Sequence, residues 1–532
     1  MSDDFLTSEQ TENYGRYVAD PNEVQLARYF HLDERDLAFI NQRRGKHNRL
    51  GIALQLTTAR FLGTFLPDPL QIPSFIRFYI AAQLNISRPE ILSRYAEREN
   101  TRWEHQGLIK LYYDYHDFGD FPWTFRLKRL LYTRAWLSNE RPGLLFDFAT
   151  AWLLQNKILL PAASTLTRLI GEVRERASRR LWRRLALLPD SWQKTQLDGL
   201  LEIPEGQRIS VLEEMRKGPV TISGPSFTDA LERYTRLRSM EFSRLNFSGL
   251  PAIQLRNLAR YAGMASVKYI SRMPDERRLA VLTAFVKAQE ISALDEAVDV
   301  LDMLILDITR SAKNIGQKKR LRTLKDLDRA PLLLARACTL LLDENTDEAA
   351  LRQAIFRRIP KDKLAESVGK VNELARPQDT QFQDEMVEQY GRVKRFLSAM
   401  LRDLHFQAAP AGEHTLSAIH YLAELSGSKK RILDDAPEQI ISGPWKRLVY
   451  DRDGRILRAG YSLCLLERLQ DSLRRRDLWL ENSDRWGDPR QKLLQGAEWQ
   501  AQRIPVCRAL GHLVAVCPAG RVYHLGEPVP SG

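Results

Sequence analysis

The sequence Asn41-Gln-Arg-Arg-Gly-Lys-His-Asn-Arg-Leu-Gly51 decides how the first part of the chain folds. Gly45 interrupts the helical periodicity, so the pattern predicts a turn between two helices. The first covers Asp33–Ile40; the second is capped by Asn48 and ends at Gly63. This is a helix–turn–helix-like unit, and the inward face of its second helix consists of Leu50, Leu54, Thr58 and Phe61.

The predicted turn also concentrates positive charge. No acid occurs between Asp36 and Asp68, whereas four basic residues lie within seven positions: Arg43, Arg44, Lys46 and Arg49. Like charges held together in a turn favour an anionic partner, and nucleic acid is the first candidate. We therefore expect the turn to contact backbone phosphates beside the start of the second helix.

Composition sets broader limits. The 532 residues suffice for roughly three or four domains, and the formal net charge of +13 is typical of many nucleic-acid-binding proteins. The four cysteines do not form a disulfide framework, and Cys507 and Cys517 flank His512 without a CxxC pair, so no metal or cofactor is expected. Without a secretory signal or a long apolar run, a cytoplasmic, nucleoid-associated protein is expected, with no membrane partner and no small-molecule substrate.

Helical periodicity dominates the chain, so the predicted fold class is mainly α. We expect several helical DNA-binding modules followed by a helical scaffold region, with at most a small hairpin near residues 446–458, where Asp453-Gly454 could form the turn. The predicted domains are residues 1–66 (helix–turn–helix-like), 67–205 (second DNA-binding module), 206–408 (helical linker or scaffold), 409–504 (small mixed helical domain) and 505–532 (irregular tail).

Individual helices are predicted within these domains. Residues 70–110 read as two helices, over 71–84 and 89–98, and a long helix runs from Ser164 to near Pro189. The remaining segments lie near 227–243, 251–261, 275–290, 293–316, 324–343, 347–357, 379–404 and 461–473.

Aromatic residues are concentrated between Tyr112 and Trp136, beside Lys128 and Arg129. Such rings could stack on bases, but a domain core explains them better because aromatic side chains bury large apolar areas. The long helix that follows has an apolar stripe and an arginine-rich face, which is either a phosphate-binding surface or a solvated face. The candidate DNA-binding residues on this face are Arg176, Arg179, Arg180, Arg183 and Arg184.

A second basic segment lies between Asp307 and Asp326, where seven bases occur without an acid. We expect a phosphate-binding loop here, with Lys318, Lys319, Arg320 and Arg322 as its candidate residues.

The sequence contains no Walker A, HExxH, GxSxG or kinase signature. The acids at Asp295, Glu296, Asp299 and Asp302 share a helical segment, where a solvated face or intrahelical ion pairs explain them better than a metal site. No catalytic residues are therefore predicted.

An ordered series of motifs resembles the Tn-three family of replicative transposases. Its opening block is Arg43-Arg44-Gly45, Asn48-Arg49-Leu50-Gly51, Gln55-Leu56, Arg60 and Gly63. Later blocks follow in family order: Gln83-Leu84, Tyr95, Arg98, Thr101-Arg102, Glu104-His105, Leu159-Leu160-Pro161, Ala293-Leu-Asp-Glu, Arg322-Thr-Leu-Lys-Asp-Leu-Asp328, Trp445, Tyr461, Leu473-Arg474 and Ser483-Asp-Arg-Trp-Gly-Asp-Pro489.

The resemblance implies helical modules that bind the terminal inverted repeats of a transposon, as double-stranded DNA. By family position, Arg102 and His105 are further DNA-binding candidates, although His105 is equally explained as a hydrogen-bonding core residue. The second helix of the opening unit offers few groups for base contacts, namely Gln55, Thr57, Thr58 and Arg60, so we expect it to be more a buried support than a reading helix. The family's second half holds a ribonuclease-H-like domain with a DDE triad and Mg²⁺. Its Ser-Ser-Asp-Gly block is absent here, so we expect a truncated chain that is inactive alone.

One alternative belongs to another functional class: a helical scaffold or interaction protein with no nucleic-acid role. Its basic clusters would be solvated faces and its aromatic residues would be core. The oligomeric state, including a homodimer, is left open by the sequence.

Overall fold

The computed structural model describes residues 5–326, 329–342, 351–374, 382–493, 496, 514–516 and 522–524. The side chains of residues 320–326, 329, 373–374, 492, 514–516 and 522–524 lie outside this description, as do Cys507, His512 and Cys517. The chain forms two compact units, residues 1–202 with 244–286 and residues 203–243 with 287–532. The predicted domain boundaries stay a prediction.

The mainly α fold class is confirmed. The helices of residues 1–202 are α1 (Ser8–Asn13), α2 (Glu23–Gln25), α3 (Glu34–Asn41), α4 (Lys46–Leu62), α5 (Ser74–Gln83), α6 (Leu92–Ala96), α7 (Glu99–Tyr113), α8 (Trp123–Leu137), α9 (Pro142–Gln155), α10 (Ala163–Ala186) and α11 (Ser191–Gly199). A π-helical turn covers Leu26–Phe30, and 3-10 turns cover Pro69–Gln71 and Pro89–Ile91.

The later helices are α12 (Val211–Met215), α13 (Gly224–Ser239), α14 (Ala252–Met264), α15 (Val267–Ser271), α16 (Asp275–Asp326), α17 (Arg329–Leu341), α18 (Leu351–Arg358), α19 (Lys361–Leu374), α20 (Phe382–Glu388), α21 (Tyr390–Asp403), α22 (Glu413–Glu424), α23 (Lys446–Val449) and α24 (Arg458–Arg475). Short 3-10 turns cover Phe242–Arg244, Pro410–Gly412, Glu438–Ile440, Gly443–Trp445 and Pro489–Lys492.

Among the residues that the structure describes, the strands form three antiparallel pairs. Strand β1 (Phe406–Ala408) pairs with β4 (Leu478–Leu480), β2 (Ile432–Leu433) with β3 (Ile456–Leu457), and β5 (Val514–Val516) with β6 (Val522–His524). The hairpin predicted near 446–458 is shorter than its strand pattern indicates. Residues 446–449 are the helix α23, and only Tyr450 bridges to Ile456 around a turn in which Gly454 has a φ of +78°.

The turn between α3 and α4 lies where the sequence predicts it, but α4 begins earlier than expected. Asp33 caps α3, and Gly45 precedes α4 with a φ of +84°, a conformation that favours glycine. The prediction that Asn48 caps α4 is wrong. Asn48 lies within the first turn of the helix, and its Nδ2 donates to the carbonyl of Arg44 (2.9 Å). The helix begins before Asn48 because Gly45 adopts a positive φ that favours glycine. Gly63 ends α4 as predicted, with a φ of +72°.

Helix α4 forms the centre of the first hydrophobic core. Every residue from Leu50 to Ala59 is buried, including Gln55, Thr57 and Thr58, which were the polar groups with potential for base contacts. Gly51 allows the ring of Tyr95 in α6 to pack against the helix backbone, since a Cβ there would lie only 2.3 Å from the ring. Helix α4 therefore serves the fold as a buried support.

A buried charge network holds α3, α4 and α7 together. The carboxylate of Asp36 accepts two hydrogen bonds from the guanidinium of Arg60, at 2.7 and 2.5 Å, and one from the hydroxyl of Tyr113 at 2.7 Å. Burial opposes ionisation of Asp36, but these bonds hold its pKa below the ordinary value. Arg60 therefore has a structural role in this pair, and its candidate role in DNA contact stays a prediction.

We expect Tyr113→Phe to lower the free energy of unfolding of the first unit by about 2 kcal/mol, because the buried Asp36 carboxylate loses one hydrogen bond. Urea denaturation measures the change. Tyr112→Phe is the matched control, since this neighbouring, exposed ring stacks on Phe39 (4.7 Å between ring centroids). Equal losses in the two variants would contradict the network.

A second core in the same unit lies between α8, α9 and α10. Helix α10 covers nearly the range predicted, and its predicted stripe is buried: Leu166, Leu169, Ile170, Val173, Ala177, Leu181 and Leu185. The prediction for residues 70–110 missed α7, because the polar start of that helix obscures its apolar face. The Phe121-Pro122 peptide before α8 is cis.

In the second unit, the two helices predicted over 275–290 and 293–316 are parts of one 52-residue helix, α16, which starts in the first unit. The helix also runs through the basic segment expected to be a loop. No proline occurs between Asp275 and Asp326 and Gly316 is the single glycine, so the segment lacks a helix breaker. The loop prediction is wrong for this reason.

The acids of α16 form tertiary contacts and not the solvated face or intrahelical pairs expected. Asp295 accepts hydrogen bonds from the hydroxyl of Ser483 (2.5 Å) and the backbone N–H of Arg485 (3.2 Å). Asp299 accepts from the indole of Trp486 (2.8 Å), and Asp302 accepts from Arg474 (3.0 Å). The motifs at 473–474 and 483–489 thus both contact the part of α16 that starts with the motif at 293–296.

Candidate nucleic-acid interface

The α3–α4 turn exposes only part of its predicted charge. Arg44 and Lys46 are exposed, whereas Arg43 is half-buried over the ring of Phe39 (5.3 Å to the centroid). Arg49 is also half-buried, and its Nε donates to the carbonyl of Arg43 at 2.9 Å. Arg43 and Arg49 therefore shape the turn, while the other two present charge to solvent.

The start of α4 adds backbone donors to this charge. Gly45 offers no side chain to cap the helix, so no side-chain acceptor is bound to the first N–H groups of the 17-residue helix. Such a helix start carries a partial positive charge and favours anions. Arg44 and Lys46 flank it directly.

Two further arginines lie near this helix start. Arg94 and Arg98 lie on either side of Tyr95, whose ring packs against α4 at Gly51. Burial, together with the charges of Arg98 and Arg94, lowers the pKa of His47 in the first turn of α4. Both arginine side chains are exposed. Sequence reasoning did not select them for DNA contact, because they join the turn only through the packing of Tyr95 against Gly51. We call the exposed residues Arg44, Lys46, Arg94 and Arg98 the turn surface.

Arg102 and His105 lie in α7 and contribute to the fold. Arg102 donates to the carbonyl of Pro67 (2.9 Å). His105 is buried, with its Nδ1 3.0 Å from the hydroxyl of Tyr95. Burial, together with the charge of Arg43, lowers the pKa of His105 to about 4. The structure therefore favours the core role that the sequence left open for His105, and neither residue lies on the turn surface.

The neutral state of His105 makes stability depend on pH. The unfolded chain takes up a proton near the ordinary pKa of 6.5 and the folded chain only near 4, so stability is retained above pH 6.5 and lost as the pH falls toward 4. We expect a loss of up to about 3 kcal/mol across this window, measured by urea denaturation at each pH. His105→Gln should flatten the profile, and His31→Gln, at an exposed site, should not; parallel profiles for all three proteins would contradict the assignment.

The arginine-rich face of α10 is partly used by contacts within its own unit. Arg179 pairs with Glu175, and Arg183 lies 3.8 Å from Glu276. Arg184 donates to the carbonyl of Gly249 (3.4 Å). Arg180 donates to the hydroxyl of Tyr132 (3.1 Å) and lies over the ring of Trp136.

A groove between α8 and α10 brings the aromatic and arginine clusters together. It has a volume of about 590 Å³ and is lined by Phe125, Lys128, Arg129, Tyr132, Leu169, Glu172, Val173, Arg176 and Arg180. Phe125 is 61% exposed, unlike the core aromatics Tyr113 and Tyr95. The aromatic segment is thus divided: Tyr113 is buried in the core, while Phe121 and Phe125 face solvent.

The basic segment of α16 is less available than its charge indicates. Lys319 contacts Glu385 (2.8 Å) and Glu388 (3.0 Å), and Lys313 lies over the ring of Phe382. Lys318 is exposed. The side chains of Arg320 and Arg322 lie outside the described residues, so their DNA-binding role stays a prediction.

Two features are absent from the described part of the chain. No group of three or more His, Cys, Asp or Glu side chains is placed to hold a metal ion there. None of its helices is long and apolar enough to cross a membrane.

These features define a class: a mainly helical protein with exposed basic residues next to an uncapped helix start. A family model described as a domain of unknown function (DUF4158) matches residues 5–173, which include the turn surface and the first eleven residues of α10.

Comparison with curated proteins is more specific. The chain is 79% identical over 514 residues to the transposase for transposon gamma-delta of Escherichia coli (strain K12), a match that covers 97% of this chain and 51% of that protein. It is 28% identical to the transposase for transposon Tn501 of Pseudomonas aeruginosa (90% and 48% covered) and 30% identical to that for Tn3926 of Escherichia coli (87% and 47%). The family resemblance is confirmed: over nearly its whole length the chain is related to Tn-three family transposases. It spans about half the length of the relatives it matches.

Proposed function

We propose that this chain is the DNA-recognition part of a transposase and binds the terminal inverted repeats of a transposon. The observation that carries this proposal is the turn surface, where Arg44 and Lys46 flank the uncapped start of α4 and the exposed Arg94 and Arg98 lie beside Tyr95, which packs on the same helix. Phosphate oxygens fit such a site because they accept both charged and backbone N–H donors. The similarity to transposases supports DNA as the source of the phosphates.

Within this proposal, the turn surface positions the protein on the DNA backbone. Since α4 is buried, base recognition requires another element. The α8–α10 groove is the strongest candidate in the first unit, because it combines exposed phosphate-binding groups (Lys128, Arg129 and Arg176) with an exposed aromatic ring. Arg180 lines the groove and donates to the hydroxyl of Tyr132, whereas Arg179, Arg183 and Arg184 contact residues outside the lining.

We expect Arg44→Ala/Lys46→Ala to weaken binding to a terminal-repeat duplex and to flatten the plot of log affinity against log salt by about 2 units, because two phosphate contacts are lost. Fluorescence anisotropy at several salt concentrations measures the slope. Arg256→Ala/Lys268→Ala, which removes two exposed cations elsewhere in the first unit, should keep the wild-type slope. An unchanged slope in the Arg44/Lys46 variant would remove the turn from the interface.

Specificity needs a separate comparison. We expect the chain to bind the terminal repeat at least ten times more tightly than a scrambled duplex of equal length, as base or shape recognition requires. Equal affinity for the terminal repeat and the scrambled duplex would indicate general DNA binding and would reject repeat recognition. No measurable binding to either duplex would favour the scaffold alternative.

We further propose that strand cleavage and joining are not carried out by the carboxylates of this chain. The acids of α16 are held by Ser483, Arg485, Trp486 and Arg474, which leaves them poorly placed for a two-metal site. Strand transfer on a terminal-repeat substrate with Mg²⁺ should be undetectable for this polypeptide. Activity that disappears in Asp299→Asn would overturn this assignment.

A further inference from the structure

A small basic pocket in the second unit lies outside every site considered so far. It has a volume of about 350 Å³ and is formed by α21, the segment 426–431 and the start of α24. This volume is within the range of small-ligand sites. Sequence reasoning did not select it, because its three segments are separated along the chain.

The pocket is strongly cationic. Five basic side chains line it: Lys394, Lys429, Lys430, Arg431 and Arg458. No acid is among the described residues that line it. Asp434, which lies outside the lining, pairs with Lys430 at 3.3 Å. Cations gathered from three segments repel one another, so the arrangement favours a bound anion.

The cationic segment is held in place by Arg458. Its guanidinium donates to the carbonyls of Ser428 (2.6 Å) and Leu425 (3.0 Å), and its backbone N–H donates to the carbonyl of Arg431 (2.9 Å). The pairing of Ile432 with Leu457 continues this attachment. The positive charges are therefore positioned before any ligand binds, which reduces the entropy lost on binding.

The rest of the lining is apolar or hydroxyl-bearing. Leu397, Leu401 and Leu422 are buried, Tyr390 lies at one side, and the hydroxyl residues are Ser398, Ser426 and Ser428. A phosphate alone needs only the cations and hydroxyls. An apolar surface next to them fits a ligand that also carries a flat ring.

We propose that this pocket binds a nucleotide unit, with its phosphate at Lys429, Arg431 and Lys394 and its base or sugar against the leucines and Tyr390. Two sources share this chemistry, a free mononucleotide and a nucleotide of bound DNA. The second source rests on the proposed DNA-binding function, and the first does not.

Fluorescence anisotropy with two probes tests the proposal: labelled deoxyadenosine monophosphate and a labelled duplex with a 5′ phosphate. We expect Lys429→Ala/Arg431→Ala to raise the Kd at least tenfold for the probe that the pocket binds. The matched control, Arg357→Ala/Lys363→Ala, removes two exposed charges from the same unit and should change the Kd less than twofold. The charge-preserving variant Lys429→Arg/Arg431→Lys should retain binding.

The two probes separate the sources. Mononucleotide binding that inorganic phosphate displaces assigns a free ligand, and pocket-dependent binding of the duplex alone assigns DNA. Arg44→Ala/Lys46→Ala should weaken duplex binding without changing mononucleotide binding, so failure of the turn surface is distinguished from failure of the pocket. The proposal is overturned if neither probe binds, or if the pocket variant and its control behave alike with both probes.

Discussion

The buried carboxylate of Asp36 constrains the first unit. A charge taken out of water is costly unless it is fully paired, and Arg60 with Tyr113 supplies the pairing from α4 and α7. The angle between α3 and α4 is therefore restricted by three short hydrogen bonds as well as by packing. The turn that joins these helices, and the charges it presents, depend on this restriction.

The close approach of Tyr95 to Gly51 has a complementary effect. It seats α6 on α4 and so brings Arg94 and Arg98 near the uncapped helix start. Residues close together in the first unit differ in what they contact. Arg60, Arg102 and His105 form hydrogen bonds within the fold, whereas Arg44 and Lys46 face solvent. Charged residues in one motif can thus have opposite roles, and only their burial distinguishes them.

The second unit uses charge differently. Its acids on α16 are paired with partners nearly two hundred residues away, which ties the Ser483–Pro489 motif to the helix. The cations near Arg458, in contrast, have few carboxylate partners among the described residues and surround a pocket. The same residue types therefore stabilise one region and leave binding capacity in another.

Local features were determined by the sequence itself. Glycines at 45 and 63 bound α4 because of their backbone freedom, and the apolar stripe of α10 was readable from its 3.6-residue period. The motif order was sufficient for the family resemblance. Only tertiary structure decided that α4 is buried on all sides from Leu50 to Ala59, that residues 307–326 continue a helix, and which arginines are exposed. These outcomes depend on contacts between distant segments, such as Asp36 with Tyr113 and Arg458 with Ser428, whose energies no local pattern contains.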